Sequence, residues 1–227
     1  MIIHQLFDHE TWTYTYLLIN EKTNEAAIID SVQGQFERDK RFINSLGVTL
    51  KYSLETHVHA DHITASGKMR GEFATKTAVH ENSKAKCADI LFKDGDVFEL
   101  GDEKITVTHT PGHTDTCTTF LVDGIVFTGD TLLIGGCGRT DFQAGDAGTL
   151  YDSITKKLFT LPDGTVVYPG HDYSGFSKTT IGYEKAHNSR LGNNNSRENF
   201  IKIMDELDLP NPKYMDIAVP GNLSCGM

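Results

Sequence analysis

Four strand-like runs in this chain end in the same way. Residues 50–55 lead into Thr56-His57-Val58-His59-Ala60-Asp61-His62, and residues 104–109 into Thr110-Pro111-Gly112-His113. Residues 125–128 lead into Gly129-Asp130, and residues 165–168 into Pro169-Gly170-His171. Each run delivers a histidine or an aspartate at its C-terminal end, the last three in turns carrying Gly or Pro. Strand ends on a common sheet edge are rigid platforms for loops that meet in space. Imidazole and carboxylate are standard ligands for zinc, iron and manganese. The recurrence predicts a sheet scaffold with a metal site assembled from distant loops, and a metal site here means an enzyme.

The remaining pattern supplies the layers. Residues 12–19 alternate, residues 26–30 are apolar, and the break at 20–24 reads as a hairpin turn. Residues 34–46 form an amphipathic pattern stopped by Gly47. Residues 149–160 and 178–191 also read as helices, residues 199–207 as a short apolar helix, and Pro210, Pro212 and Pro220 as breaks in regular structure. Strands interleaved with helices predict a layered α/β architecture, and the hairpins point to mixed rather than purely parallel sheets. No linker divides the chain, so one domain over residues 1–227 with a short C-terminal extension is expected.

Composition narrows the partners. A net charge of −10 argues against nucleic acid and against anionic membranes, which need clustered Lys and Arg. No run approaches a membrane span, and the opening Met1-Ile2-Ile3-His4-Gln5 lacks a signal-peptide pattern, so a cytoplasmic protein is expected. The widely spaced Cys87, Cys117, Cys137 and Cys225 form no C-x-x-C pair and are expected to be free thiols. His4, His9, His80, His109 and His187 lack the spacing of ligands and read as ordinary surface or core residues.

Within residues 56–62 the potential ligands stand at i, i+2, i+4 and i+5. The glutamate of the helical zinc-protease motif H-E-x-x-H is absent. T-H-x-H-x-D-H, followed in order by Gly-His at His113, Gly-Asp at Asp130 and Gly-His at His171, resembles the signature of the metallo-β-lactamase superfamily. Several further segments are similar to the persulfide (sulfur) dioxygenases within it. They are Gly136-Cys137-Gly138-Arg139-Thr140-Asp141-Phe142-Gln143, His171-Asp172-Tyr173, Asn188-Ser189-Arg190-Leu191 and Ala218-Val219-Pro220-Gly221-Asn222.

The resemblance implies an αββα four-layer sandwich of two mixed sheets, with the metal at the mouth between them. It implies one Fe(II) per subunit on His57, His113 and Asp130, a two-histidine, one-carboxylate set that leaves positions for water, O₂ and substrate sulfur. His59, Asp61, His62 and His171 then orient ligands and order water, or else complete a second metal site as in binuclear relatives. The implied reaction oxidises glutathione persulfide with O₂ and water to sulfite and glutathione, in sulfide oxidation and detoxification. Arg139 and Arg190 match positions tied to the glutathione pocket, and Tyr173 is a candidate hydrogen-bond donor there. Cys137 lies near the site and reads as structural, and Gly135, Gly136 and Gly138 shape the loop that sets Arg139. A homodimer is compatible with this reading. The competing reading is a binuclear thioester hydrolase like glyoxalase II, which uses a metal-activated hydroxide.

Overall fold

The computed structural model describes residues 1–227 as two six-stranded sheets packed face to face with helices outside both. The first sheet runs in sequence order through β1 (Ile2–Asp8), β2 (Thr13–Ile19), β3 (Glu25–Ile29), β4 (Thr49–Leu54), β5 (Lys76–His80) and β6 (Ile90–Phe92). Its first three strands are antiparallel, and β3 to β6 are parallel. The second sheet contains β7 (Val97–Leu100), β8 (Glu103–His109), β9 (Thr118–Val122), β10 (Ile125–Gly129), β11 (Val166–Pro169) and β12 (Thr179–Thr180). There only β10 and β11 run parallel. Both sheets are mixed, as the hairpin signals predict.

Strand β2 shows why four layers form. Tyr16 and Leu18 point into the core between the sheets, beside Ile29, Leu54, Phe92, Phe120 and Phe127. Leu17 and Ile19 point the other way, onto Phe36, Ile43 and Met69 of α1 (Phe36–Leu46) and α2 (Ser66–Phe73). A strand apolar on both faces must be covered on both. The second sheet does likewise: Phe127 faces inward, while Val126 and Val167 meet Leu150, Ile154, Ile181 and Phe200 on the outer helices. Those helices are α3 (Ala147–Ser153), continued by the turn that carries Ile154, α4 (Ile181–His187) and α5 (Arg197–Asp205). Truncating a fully buried Phe127 to alanine would cost about 3–5 kcal/mol.

Helix starts follow side-chain caps: Asp146 on Thr149 N–H, Thr180 on Tyr183 N–H and Ser196 on Asn199 N–H. The expected helix at 149–160 starts earlier, and its last turn, Ile154–Leu158, widens to π geometry. The expected helix at 178–191 covers only Ile181–His187, because Thr179–Thr180 pair with β11 instead. No helix is long and apolar enough to cross a membrane.

Two expectations fail near the C-terminus. Pro220 does not break structure but sits inside α6 (Met215–Asn222). In so short a helix it forfeits a single backbone hydrogen bond near the end. Nor are all four cysteines free: Cys87 and Cys225 form a disulfide across 138 residues, and only Cys117 and Cys137 are free and buried. The C-terminal segment folds back over the start of α2, where Gly67 N–H donates to Cys225 O at 2.8 Å, and this brings the thiols together.

Candidate metal centre

The strand-end turns converge at the mouth between the sheets. One donor atom each from His57, His113 and Asp130 lies within 4.8 Å of the other two, and a second such group is His59, Asp61 and His62. His171 joins them: its Nε2 is 3.6 Å from Asp61 Oδ2 and 3.6 Å from Asp130 Oδ1. The structure thus brings all seven sequence-assigned donors to one site.

Hydrogen bonds set which ring nitrogen each histidine presents. Thr56 Oγ1 donates to Asp30 Oδ2 at 2.8 Å, so it meets His57 Nδ1, 3.0 Å away, as an acceptor. His113 Nδ1–H donates to Arg139 O at 2.6 Å, and His171 Nδ1–H to Trp12 O at 3.2 Å. All three rings are fixed through Nδ1 and turn Nε2 inward, the arrangement that orients imidazole toward a metal. Asp130 Oδ1 is buried without a hydrogen-bond partner, an orphaned acceptor in want of a cation. Residues and geometry therefore fit a metal ion held by His57, His113 and Asp130.

The electrostatics divide the donors. Burial, helped by the neighbouring His59 and His113, pushes the His57 pKa well down, so this ring is neutral with a free lone pair. Burial also opposes charge on His59, but Asp30 and Glu55 outweigh it and push that pKa well up. His59 Nε2 lies 3.1 Å from Asp30 Oδ1 and 3.3 Å from Glu55 Oε2. Asp61 is pulled well down despite its burial, chiefly by His62 and then His171. His62 Nδ1 sits 3.0 Å from Asp61 Oδ2.

Glycines beside the ligands hold space open. A Cβ on Gly170 would lie 2.6 Å from Asp130 Oδ1, and one on Gly138 would lie 2.8 Å from the His113 ring. Gly138 therefore makes room for a ligand as well as shaping the Arg139 loop.

In front of the donors a cleft of about 680 Å³ opens, a size suited to a small ligand. Its walls include Trp12, Gly135–Arg139, Tyr173, Arg190 and the strap 209–214. Tyr173 is exposed there, its ring parallel to His171 at 6.0 Å. Arg190 donates from Nη1 to Cys137 O at 2.7 Å. Arg139 is the most committed: Nε and Nη2 fork onto Asp141 at 2.6 Å each, and Nη1 donates to Pro210 O at 2.6 Å. Cys137 is buried against Met204, and burial pushes its thiol up to about 11, which suits packing rather than reactivity.

Three supporting residues escaped the sequence reading. Asp30 ends the apolar run of β3 just as the ligands end theirs, and that shared grammar was the signal that could have found it. Glu55 accepts from Thr64 Oγ1 at 2.6 Å and from Ser66 Oγ. Asn222 reaches the metal loop from the far end of the chain, a contact no local pattern announces.

Comparison with known proteins agrees with this geometry. The metallo-beta-lactamase superfamily matches residues 13–171. The bovine mitochondrial persulfide dioxygenase ETHE1 is 43% identical over 229 aligned positions, covering 100% of this chain and 89% of its own length. The human protein matches with the same identity and coverage. The crystal structure of ETHE1 from Myxococcus xanthus superposes with a TM-score of 0.97 at 50% identity, covering 100% of both chains. A full-length match in sequence and in fold, with every expected donor at the sheet mouth, means that the chain belongs to the persulfide dioxygenase family of the metallo-β-lactamase superfamily.

Proposed function

We propose that this enzyme binds one Fe(II) through His57, His113 and Asp130 and oxidises glutathione persulfide. One persulfide, one O₂ and one water give glutathione, sulfite and two protons. The observation that carries the reading is the pair of imidazoles fixed through Nδ1 with Nε2 turned to one carboxylate, open on one side to the cleft. Bound ferrous iron supplies the redox chemistry that makes O₂ reactive toward sulfur, which zinc lacks.

The protein's own residues bind and orient. His57, His113 and Asp130 would hold the cation, and three protein donors would leave room for the substrate. Asp61 and His171, 3.6 Å apart, order water at the cleft floor. Arg190 and Tyr173 line the wall where a peptide thiol carrying two carboxylates would lie. Arg139 acts through the strap, since its fork is already held by Asp141 and by backbone carbonyls. The proposed setting is the cytoplasm.

Oxygen uptake on adding glutathione persulfide, with sulfite formed in equal amount, tests the reading. The second donor group His59–Asp61–His62 favours a two-metal thioester hydrolase instead, but the full-length relatives at 43% identity are persulfide dioxygenases. Anaerobic hydrolysis of S-lactoylglutathione without oxygen uptake would reverse the choice.

A further inference from the structure

The C-terminal segment reaches the metal-bearing loop from behind. Asn222 is 9% exposed, and its amide is fully engaged with that loop. Its Oδ1 accepts from Thr64 N–H at 2.8 Å, and its Nδ2 donates to His59 O at 2.8 Å and to His62 O at 2.9 Å. These three backbone groups bracket residues 59–64, so one side chain sets the height of His59, Asp61 and His62 above the mouth. A small cavity of about 20 Å³, room for a single water, lies beside these bonds and is lined in part by Glu55, His59, Asn222 and Cys225.

The seat of this segment is tight. Gln33 Nε2 donates to Gly226 O at 2.6 Å, and a Cβ on Gly226 would lie 2.0 Å from Thr64 O. Cys225 adopts a φ of 55°, in the left-handed region that non-glycine residues avoid. What fixes this seat covalently is the bond from Cys225 to Cys87, on the connection between β5 and β6. Cys225 is buried and Cys87 is partly exposed, so attack comes at the Cys87 sulfur. Arg70 donates to Cys87 O at 2.6 Å, and Lys84 and Lys86 are exposed beside it. Asp89, 3.5 Å from Arg70, offsets part of this charge, so it is the exposure of Cys87 that opens the bond to an approaching thiol.

We propose that the Cys87–Cys225 disulfide is a latch on the metal loop, with Asn222 as the positioning residue it holds, and that the thiol and persulfide of the reaction work the latch. The second half rests on the glutathione persulfide reading above. Opening is thiol–disulfide exchange. A glutathione thiolate attacks Cys87 Sγ, and Cys225 leaves as a thiolate and is protonated by solvent. A second glutathione thiolate then displaces Cys87, leaving two protein thiols and glutathione disulfide. Closing consumes the persulfide. The Cys87 thiolate attacks its outer sulfur and expels glutathione, forming a Cys87 persulfide. The Cys225 thiolate attacks Cys87 Sγ and expels hydrosulfide. Two thiols and one glutathione persulfide give the disulfide, glutathione and H₂S, with two electrons passing to the outer sulfur. Substrate thus tightens the site and product loosens it.

The test uses metal-loaded protein incubated with glutathione or with glutathione persulfide. Alkylation and mass spectrometry read the latch, amide hydrogen exchange reads residues 59–64, and metal loss to a chelator reads the site. Glutathione should free Cys87 and Cys225, leaving Cys117 and Cys137 unmodified because burial pushes those thiols up to about 12 and about 11. Exchange in 59–64 and metal loss should each rise by about tenfold, the low end of the cost of losing a ligand-orienting partner. Persulfide should reverse both. Asn222→Ala should show the fast exchange with its disulfide intact, and a lowered kcat at unchanged KM. Cys87→Ser should show fast exchange from the start and respond to neither reagent. Unchanged exchange in reduced wild type or in Asn222→Ala overturns the latch. Closure by a general oxidant but not by persulfide overturns the coupling to substrate. Oxygen uptake is read separately: its absence would fail the dioxygenase reading, while exchange in 59–64 still judges the latch.

Discussion

The site contains two groups of donors that look alike in sequence and differ in state. His57, His113 and Asp130 present lone pairs: each imidazole is tied through Nδ1 to a neutral oxygen, and one carboxylate oxygen is orphaned. In the second group His59 is held through Nε2 by the carboxylates of Asp30 and Glu55, and His62 through Nδ1 by Asp61, while His59 Nδ1 and His62 Nε2 are buried without partners. A lone pair binds a cation at once, whereas His59, held charged between Asp30 and Glu55, must first give up a proton. The difference teaches that ligand-type residues become ligands through the groups behind them, and the proposed single iron rests on that difference at His59.

The comparison can be broken most severely at the first group. His113→Ala or Asp130→Ala should abolish both metal retention and oxygen uptake in a protein that still folds, checked by elemental analysis and circular dichroism. Equal loss from His59→Ala would erase the distinction between the groups.

A milder test is Asp30→Asn, which weakens the hold on His59 and on Thr56, the hydroxyl behind His57. The expected cost is about 10–100-fold in metal affinity or kcat, the usual range for partners that orient ligands. Isothermal titration with Fe(II) under anaerobic conditions would measure it.

Smaller again is Arg190→Lys in the cleft wall. Removing one hydrogen bond to Cys137 O and the planar fork should raise KM for glutathione persulfide about fivefold, roughly 1 kcal/mol of binding, with kcat unchanged. A fall in kcat alone would move Arg190 from substrate binding to the metal loop.

Protonation separates the groups without any substitution. The folded His57 pKa lies below its unfolded value near 6.5, so the stability tied to it is present above pH 6.5 and lost as pH falls toward the lowered value. The folded His59 pKa lies above 6.5, so its contribution is full below 6.5 and lost as pH rises through the raised value. Nitrogen NMR of the metal-free protein at pH 7 should show a neutral His57 ring and a charged His59 ring. Two neutral rings would put both groups on an equal footing.

Much of this arrangement was legible in the chain. Strand-end turns carry His57, His113, Asp130 and His171, and three of these ends are readable because the strand pattern stops at a Gly or Pro, while the His57 end is readable from the cluster of histidines itself. The hairpin of β2 and β3 was readable for the same reason. What was not legible depends on distance. Asp141 takes the fork of Arg139, yet at two residues' separation a loop geometry no pattern encodes decides whether they meet. Cys87 and Cys225 looked like unrelated thiols because nothing local reveals that the tail crosses residues 63–67. Asn222 stood in a recognisable segment, but its role lies in bonds spanning more than 150 residues.

The central claim is that a seven-donor cluster holds a single iron on His57, His113 and Asp130. Elemental analysis of anaerobically purified wild-type protein tests it most directly. One iron per chain is the predicted result, and two metal ions per chain would contradict it.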